Sequence, residues 1–434
     1  MIGIKGYLTT TPGIKGRIRR SIEDFVVEEV LEDGAIVSVG SGLPDHARRG
    51  IDGGLYSHFA LEKRGVDHFQ AIAQLSKELG ISKKRFTYSG TKDANALTCQ
   101  LVCVKALSPG DIHIDSDHLR VHTPFRATHP LRLGDHWGNS FRILVTGIPL
   151  PPKQTDRLAE ATAAEITKHN GVPNFFGHQR FGTLRANTHI VGRHLLGGDF
   201  ESAVWEYLGG AFQGERAEAI QARSSLVETR DFKAALSSFP KDLTYERTML
   251  AHLVENPRDF LGALRRIPRG LLSLFVRAYQ SYIFNLTLSR RLEADDPFRP
   301  KDGDVLQSGR GTFAVGVSMP LDEAIQLLAR GRARLVYSVV GYASAAEGPI
   351  SRDILETMKQ ENANSSLFYV RQLPDISPRG AYRDVICPVK GLAVGGAQKG
   401  EQGGTNLRLS FRLPKGSYAT AVLREFMKAD MAAY

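Results

Sequence analysis

Tyr88-Ser-Gly-Thr-Lys-Asp-Ala-Asn-Ala-Leu-Thr-Cys-Gln-Leu-Val-Cys-Val104 is the stretch on which the reading of this chain turns. Gly90, Lys92 and Asp93 crowd its first half, and an apolar, partly β-branched run over 97–104 fills the second. Such a run reads as a buried strand, so the first half is a tight turn feeding a core strand. A turn fixed to a rigid element is a good mount for one reactive side chain. Asp93 is the candidate. Lys92 beside it would favour the ionised carboxylate, and an ionised Asp serves as nucleophile or base. Read alone, the same residues equally describe a turn Asp capping its own backbone, with Lys92 in water.

Upstream, residues 56–61 read as a strand. Asp67 then reads as an N-cap with Gln70 three residues on. Phe69, Ile72, Ala73, Leu75 and Leu79 supply the apolar side of a helix ending at Gly80. With the run at 97–104 this makes a strand–helix–strand unit. Further back, Ile22-Glu-Asp-Phe-Val-Val-Glu-Glu-Val30 is a strand with Phe25 and Val27 on one face. Residues 1–20 carry Lys5, Lys15, Arg17, Arg19 and Arg20 and no acid, which suits a basic arm or edge strand, solvated or touching phosphates.

Downstream, His113, Asp115, Asp117, His118 and His122 resemble metal ligands by type. They interleave with Ile112, Ile114, Leu119 and Val121, the pattern of a half-buried strand or hairpin, and no metal is expected there. A turn and strand over 131–145 and a helix over 155–169 follow. Val172-Pro-Asn-Phe-Phe-Gly-His-Gln-Arg-Phe-Gly182 is the second unusual stretch. Its Phe175, Phe176 and Phe181 offer stacking faces, while Asn174, Gln179 and Arg180 offer donors to a base edge, as an unstacked base requires. The alternative is a packed Ω-type loop.

Short helices fill 193–256, and Asn256-Pro257 reads as the opening of another. A long helix keeps its apolar spacing through Arg291. Arg265, Arg266, Arg269 and Arg277 make its start basic, either a solvated face or a phosphate rail. A small β unit over 301–317 and a helix over 321–330 precede a Gly-rich stretch, 391–404, which reads as a flexible linker back into another domain. Leu407, Leu409, Phe411 and Leu413 then alternate on one face of a strand, and a helix closes the chain over 420–429.

At 434 residues two domains are the default, one inserted in the other. Hydrophobic content of 42% and charged content of 24% are those of an ordinary globular protein. A formal charge of +10 with a pI near 9.4 suits a polyanionic partner, nucleic acid before anionic membrane. Three cysteines, Cys99, Cys103 and Cys387, make no disulfide framework and no CxxC pair. Without a signal pattern or membrane-spanning run, a cytoplasmic protein with reduced thiols is expected. P-loop, Rossmann, HExxH and GxSxG patterns are absent.

Several stretches together resemble one family, the TruD tRNA pseudouridine synthases. They are Glu23-Asp-Phe-Val-Val-Glu28, Gly90-Thr-Lys-Asp-Ala-Asn-Ala-Leu-Thr98, Leu131-Arg-Leu-Gly-Asp-His-Trp-Gly-Asn139, Asn174-Phe-Phe-Gly-His-Gln-Arg-Phe-Gly182, Arg277-Ala-Tyr-Gln-Ser-Tyr-Ile-Phe-Asn285, Asp302-Gly-Asp304 and Leu413-Pro-Lys-Gly-Ser-Tyr-Ala-Thr420 running on to Arg424-Glu425. They fall in the family's order and span nearly the whole chain. The resemblance implies an α+β pseudouridine synthase-type catalytic domain with a mixed, largely antiparallel sheet, over 1–183 and 389–434. It implies an inserted α/β TRUD domain over 184–388. It implies isomerisation of uridine 13 of tRNA to pseudouridine without cofactor or metal; separately, a monomer is expected.

By the same resemblance Asp93 matches the catalytic Asp. Phe25, Asn174 and Tyr418 match positions lining the target nucleotide, and Phe176 an aromatic below the uracil. Lys92, Gln179 and Arg180 complete the expected substrate-binding set. Tyr418 departs from the Phe of bacterial members, and about 198–256 is longer than in them, as in an archaeal-type member. Two other classes stay in view: a carboxylate glycosidase-like hydrolase, which usually needs a second placed acid, and a non-catalytic basic RNA-binding protein.

Overall fold

The computed structural model of the protein describes residues 2–48, 54–182, 185–212, 214–401, 403–430 and 433–434. Packing divides the chain into two units, one of residues 7–172 and 387–434, the other of 173–386 with the residues before Tyr7. The division falls at 172/173 and 386/387. The break expected at 183/184 lies on residues outside the described ones.

The first unit is built on a mixed sheet. Its main path runs Lys390–Val394, Thr405–Pro414, Gly138–Ile148, Phe25–Val30, Leu97–Lys105, Tyr56–Arg64, Leu119–Ala127. Phe25–Val30 and Leu97–Lys105 pair in parallel, and the other neighbours on the path are antiparallel. Thr405–Pro414 alternates between buried and more exposed positions along its length, as a strand with one covered face must. Leu97–Lys105 is buried almost throughout because both of its faces are covered. One cluster joins Phe141, Leu409 and Phe411 to Val422 and Phe426 of the last helix, Ala419–Met427. Another seats the helix His68–Glu78 on Phe59, Leu61, Val102 and Val104.

That helix begins as its sequence predicts, with Asp67 accepting from the amides of Phe69 and Gln70. Its buried stripe is His68, Ala71, Ile72 and Leu75. Phe69, expected on the apolar side, is 65% exposed because His68 takes the inward position one residue earlier. The stretch 391–404 is not a slack linker. Lys390–Val394 and Gln398–Lys399 both pair with Thr405–Pro414, and Leu392, Val394 and Ala397 pack on the core. Main-chain pairing tolerates glycine, and these three apolar side chains anchor the segment. Nor is the basic N-terminal segment a loose arm. Ile14 and Ile18 are buried, Ile14 N donates to Phe426 O, and Arg17 bridges Thr146.

The second unit gathers short helices around the long helix Arg269–Arg291, beside a four-stranded sheet ordered Gly311–Ala314, Val305–Ser308, Ala333–Val339, Ala381–Asp384. Thr188–Leu196 lies so close to the long helix that a Cβ on Gly192 would sit 2.0 Å from Phe275 O. The helix expected to open at Asn256-Pro257 starts instead at Phe260. Asp259 caps it by accepting from Gly262 N at 2.8 Å, a charged cap at the positive end of a helix. The long segment 198–256 has a buried hub. Arg223, 1% exposed, donates to Glu246 at 2.8 Å, Glu215 at 3.1 Å and the carbonyls of Tyr207 and Leu208. Among the described residues no helix is long and apolar enough to cross a membrane.

Candidate active site

Asp93 lies in the segment between Phe86–Tyr88 and Leu97–Lys105, and its side chain is 34% exposed. Three neighbouring strands fix that segment, each through one polar side chain. From Tyr56–Arg64, Lys63 donates its Nζ to the Asp93 carbonyl at 2.5 Å and to Val66 O at 2.9 Å. From Leu97–Lys105, Gln100 Nε2 donates to Gly90 O at 2.8 Å. From Phe25–Val30, Glu29 accepts from Ser89 Oγ at 3.0 Å, Lys92 Nζ at 2.7 Å and Leu101 N at 3.2 Å. A turn without ladder bonds of its own is thereby held as firmly as the sheet beneath it.

The Asp93 carboxylate accepts from Arg19 Nη2 at 3.0 Å. Arg19 has φ +61°, a left-handed backbone that costs a side-chain-bearing residue roughly 1 kcal/mol or more. Its guanidinium lies 4.2 Å from the centre of the Phe25 ring while it reaches Asp93. Behind the turn, Lys63 is wholly buried. Burial pulls its ammonium down to about 8, against the opposing pull of the Asp93 and Asp67 carboxylates.

His68, also wholly buried, packs its ring 4.1 Å from that of Tyr88. Burial, with the Lys63 charge second, pushes His68 down to about 4 from 6.5. Because the folded value lies below the unfolded one, the unfolded chain binds the extra proton between them. Stability from this group is complete above about pH 6.5 and is lost as pH falls towards about 4. Chemical unfolding of wild type and His68→Phe at pH 7 and pH 5 is expected to show a smaller acid loss in the variant. An equal loss in both would remove His68 as the cause.

Two of the expected substrate contacts in this unit are buried and held by neighbours within the chain. The Lys92 side chain, 3% exposed, is buried in an ion pair with Glu29. Phe25, 1% exposed, packs in the core, with the Arg19 guanidinium over its ring and Phe141 edge-on at 6.2 Å. Tyr418 is half-buried at the N-cap position of Ala419–Met427.

The other four candidates lie in the second unit. Asn174 is 6% exposed and its amide is engaged on both sides. Nδ2 donates to Asp384 O at 2.9 Å, and Oδ1 accepts from Arg383 Nη2 at 2.6 Å. Phe176 is 7% exposed, with the Arg383 guanidinium 4.1 Å from its ring centre and Phe284 edge-on at 5.3 Å. Its backbone is clamped by Asn285, which accepts from Phe176 N and donates to Phe176 O. Gln179 is exposed and Arg180 half-buried. Asn174 and Phe176 both hold Arg383 in place.

Arg19, Lys63, Glu29 and Arg383 are the residues that sequence reasoning did not assign to these places. Glu29 carried a signal, since an acid inside an apolar strand must find a buried partner. Arg383 carried none. Among the described residues no three His, Cys, Asp or Glu side chains gather as a metal site requires. His122 is paired with Glu62 at 3.0 Å and Asp115 with Arg120 at 2.8 Å.

A mixed sheet carrying an Asp on a braced turn before a central strand, with a guanidinium on its carboxylate, is a scaffold suited to carboxylate chemistry. The family model for tRNA pseudouridine synthase D (TruD) matches residues 1–426. A relative from Methanosarcina mazei named "Probable tRNA pseudouridine synthase D" is 37% identical over 99% of this chain and 97% of its own. One of the same name from Archaeoglobus fulgidus is 34% identical over 99% of each chain. A crystal structure of the "Putative tRNA pseudouridine synthase D (TruD)" from Methanosarcina mazei superposes with a TM-score of 0.83 at 35% identity, covering 100% of this chain and 98% of that one. The chain belongs to the tRNA pseudouridine synthase D (TruD) family.

Proposed function

We propose that this protein is a tRNA pseudouridine synthase that isomerises uridine 13 of tRNA, with Asp93 as its catalytic carboxylate. The observation that carries the reading is the Asp93 side chain: partly open to solvent, paired with Arg19, and mounted on a turn braced from three strands. Family membership over the length of the chain supports it. In this reading the unit of 7–172 and 387–434 is the catalytic domain and 173–386 the inserted TRUD domain, and the protein works as a monomer in the cytoplasm.

The reaction breaks the N1–C1′ bond, turns the uracil, and joins C5 to C1′. The C5 proton leaves to solvent and N1 takes one up, so atoms balance without oxidant, water or leaving group. Asp93 acts by adding to C1′ or by removing the C2′ proton. Arg19 orients the carboxylate in either route. Tyr418, in the same unit, supplies an aromatic face with a hydroxyl. Extracting the nucleotide from the folded RNA costs roughly a few kcal/mol, which contacts between the basic protein and phosphates offset. A glycosidase-like hydrolase is the weaker reading, because the group found against Asp93 is a guanidinium rather than a second acid.

Tritium release from a tRNA transcript labelled at uridine C5, with mapping of the altered position, tests the reading. Release with pseudouridine at position 13 is expected. Free uracil as product would favour the hydrolase, and tRNA binding without any release would favour a non-catalytic RNA-binding protein.

A further inference from the structure

Within the unit of 173–386, a cavity of about 400 Å³ is bordered by Arg180, Arg277, Arg379, Arg383 and Phe176. We propose that it is a phosphodiester-binding site for the RNA backbone, formed by this unit alone. The proposal rests on tRNA as the substrate class and adds a location and named contacts to it.

The cations are unevenly matched. Arg379 is paired with Glu347. Arg277 is exposed and has no carboxylate partner among the described residues. Arg180 Nε is buried and has no hydrogen-bond partner among them. A buried donor left unmade costs roughly 1–3 kcal/mol, and a guanidinium set among like charges suits an anion. Arg383 is tied by hydrogen bonds to Asn174 and stacked on Phe176, which fixes a positive plane in the lining.

The mounts are rigid. Arg277, Gln280 and Ser281 share one face of Arg269–Arg291 at i, i+3 and i+4 spacing. Arg383 stands on the strand Ala381–Asp384. Gln280 Nε2 is committed to Val340 O and Ser281 Oγ to Arg277 O, so the guanidiniums are the groups left to meet a ligand. Planar guanidiniums converging from a helix and a loop match the tetrahedral oxygens of a phosphodiester. The cavity lies at the small end of the range for ligand sites, about 300–1,000 Å³, room for one nucleotide unit rather than a duplex groove.

Two other members of the basic stretch, read as a solvated face or a phosphate rail, are engaged elsewhere. Arg269 pairs with Asp375 at 2.8 Å and Arg265 donates to Gln372 O at 3.1 Å. Arg277 is the member of that stretch that borders the cavity.

Direct tRNA binding measured across a salt series tests the site on the full chain. Arg277→Gln and Arg180→Gln are each expected to weaken binding several-fold and to flatten the log affinity against log salt slope by about 0.7–0.9. In turnover they raise KM and leave kcat within about two-fold, as loss of uniform binding does. Arg180→Lys keeps a charge and recovers most of the slope. Arg310→Gln removes an arginine bordering a different cavity of the same unit and is expected to leave slope and affinity unchanged. Equal slopes for Arg277→Gln, Arg180→Gln and Arg310→Gln, with unfolding midpoints matching wild type, would overturn the proposal. Because the readout is binding, wild type that binds tRNA without isomerising it would count against the proposed function and leave this site standing.

Discussion

Asp93→Asn is expected to abolish isomerisation, by about 10⁴-fold or more, while tRNA affinity stays within a few-fold of wild type. Asn keeps the shape of the side chain and an oxygen for Arg19 Nη2 to donate to. What it loses is the carboxylate that can add to C1′ or accept the C2′ proton, and neither route proceeds through an amide. Affinity is insulated for a separate reason: removing one negative charge does not oppose a polyanion. Stability is insulated as well, since Arg19 is 21% exposed and keeps partial hydration when its partner is neutral. Tritium release and direct binding, run on the same preparation, check both halves. Release above a tenth of the wild-type rate would remove Asp93 from the chemistry. Loss of binding in parallel with activity would make it a structural residue instead.

The second large effect is on folding. Lys92→Met is expected to destabilise the protein by about 3–5 kcal/mol, because it leaves the Glu29 carboxylate fully buried without its cation. Ser89 Oγ and Leu101 N still donate to that carboxylate, yet neither carries a compensating charge. The double replacement Glu29→Leu with Lys92→Met removes both charges and is expected to be less damaging than Lys92→Met alone. Denaturant unfolding of the three variants measures this. A Lys92→Met protein with an unchanged midpoint and a depressed rate would instead restore Lys92 to a part in substrate handling. Since Glu29 and Lys92 brace the turn that carries Asp93, the folded fraction of Lys92→Met should also lose activity.

Periodicity made much of the fold legible. The strand over 97–104, the capped helix after Asp67 and the alternating strand around Leu409 all occur in the structure, because each is specified by residues a few positions apart. Local composition misled where long-range pairing overrode it. The Gly-rich 391–404 stretch looked like a linker and is paired into the sheet. The N-terminal basic run left an arm and an edge strand equally open, and it buries Ile14 and Ile18 and bridges Arg17 to Thr146. At the candidate site only residue types were legible: an Asp in a turn before a buried strand, and aromatics among amides and a guanidinium.

What the chain order alone determined is the mount, a polar turn run into a buried strand with Asp93 at its end. Which neighbours that Asp would have was decided by tertiary folding. In an extended chain successive side chains leave on opposite sides. Lys92 turns inward to Glu29, 63 positions away, while Asp93 turns outward to Arg19, 74 positions away. Arg383 reaches Asn174 across 209 positions. Adjacency in sequence carries no information about such partners, because they are brought together by strand register and helix packing rather than by spacing along the chain.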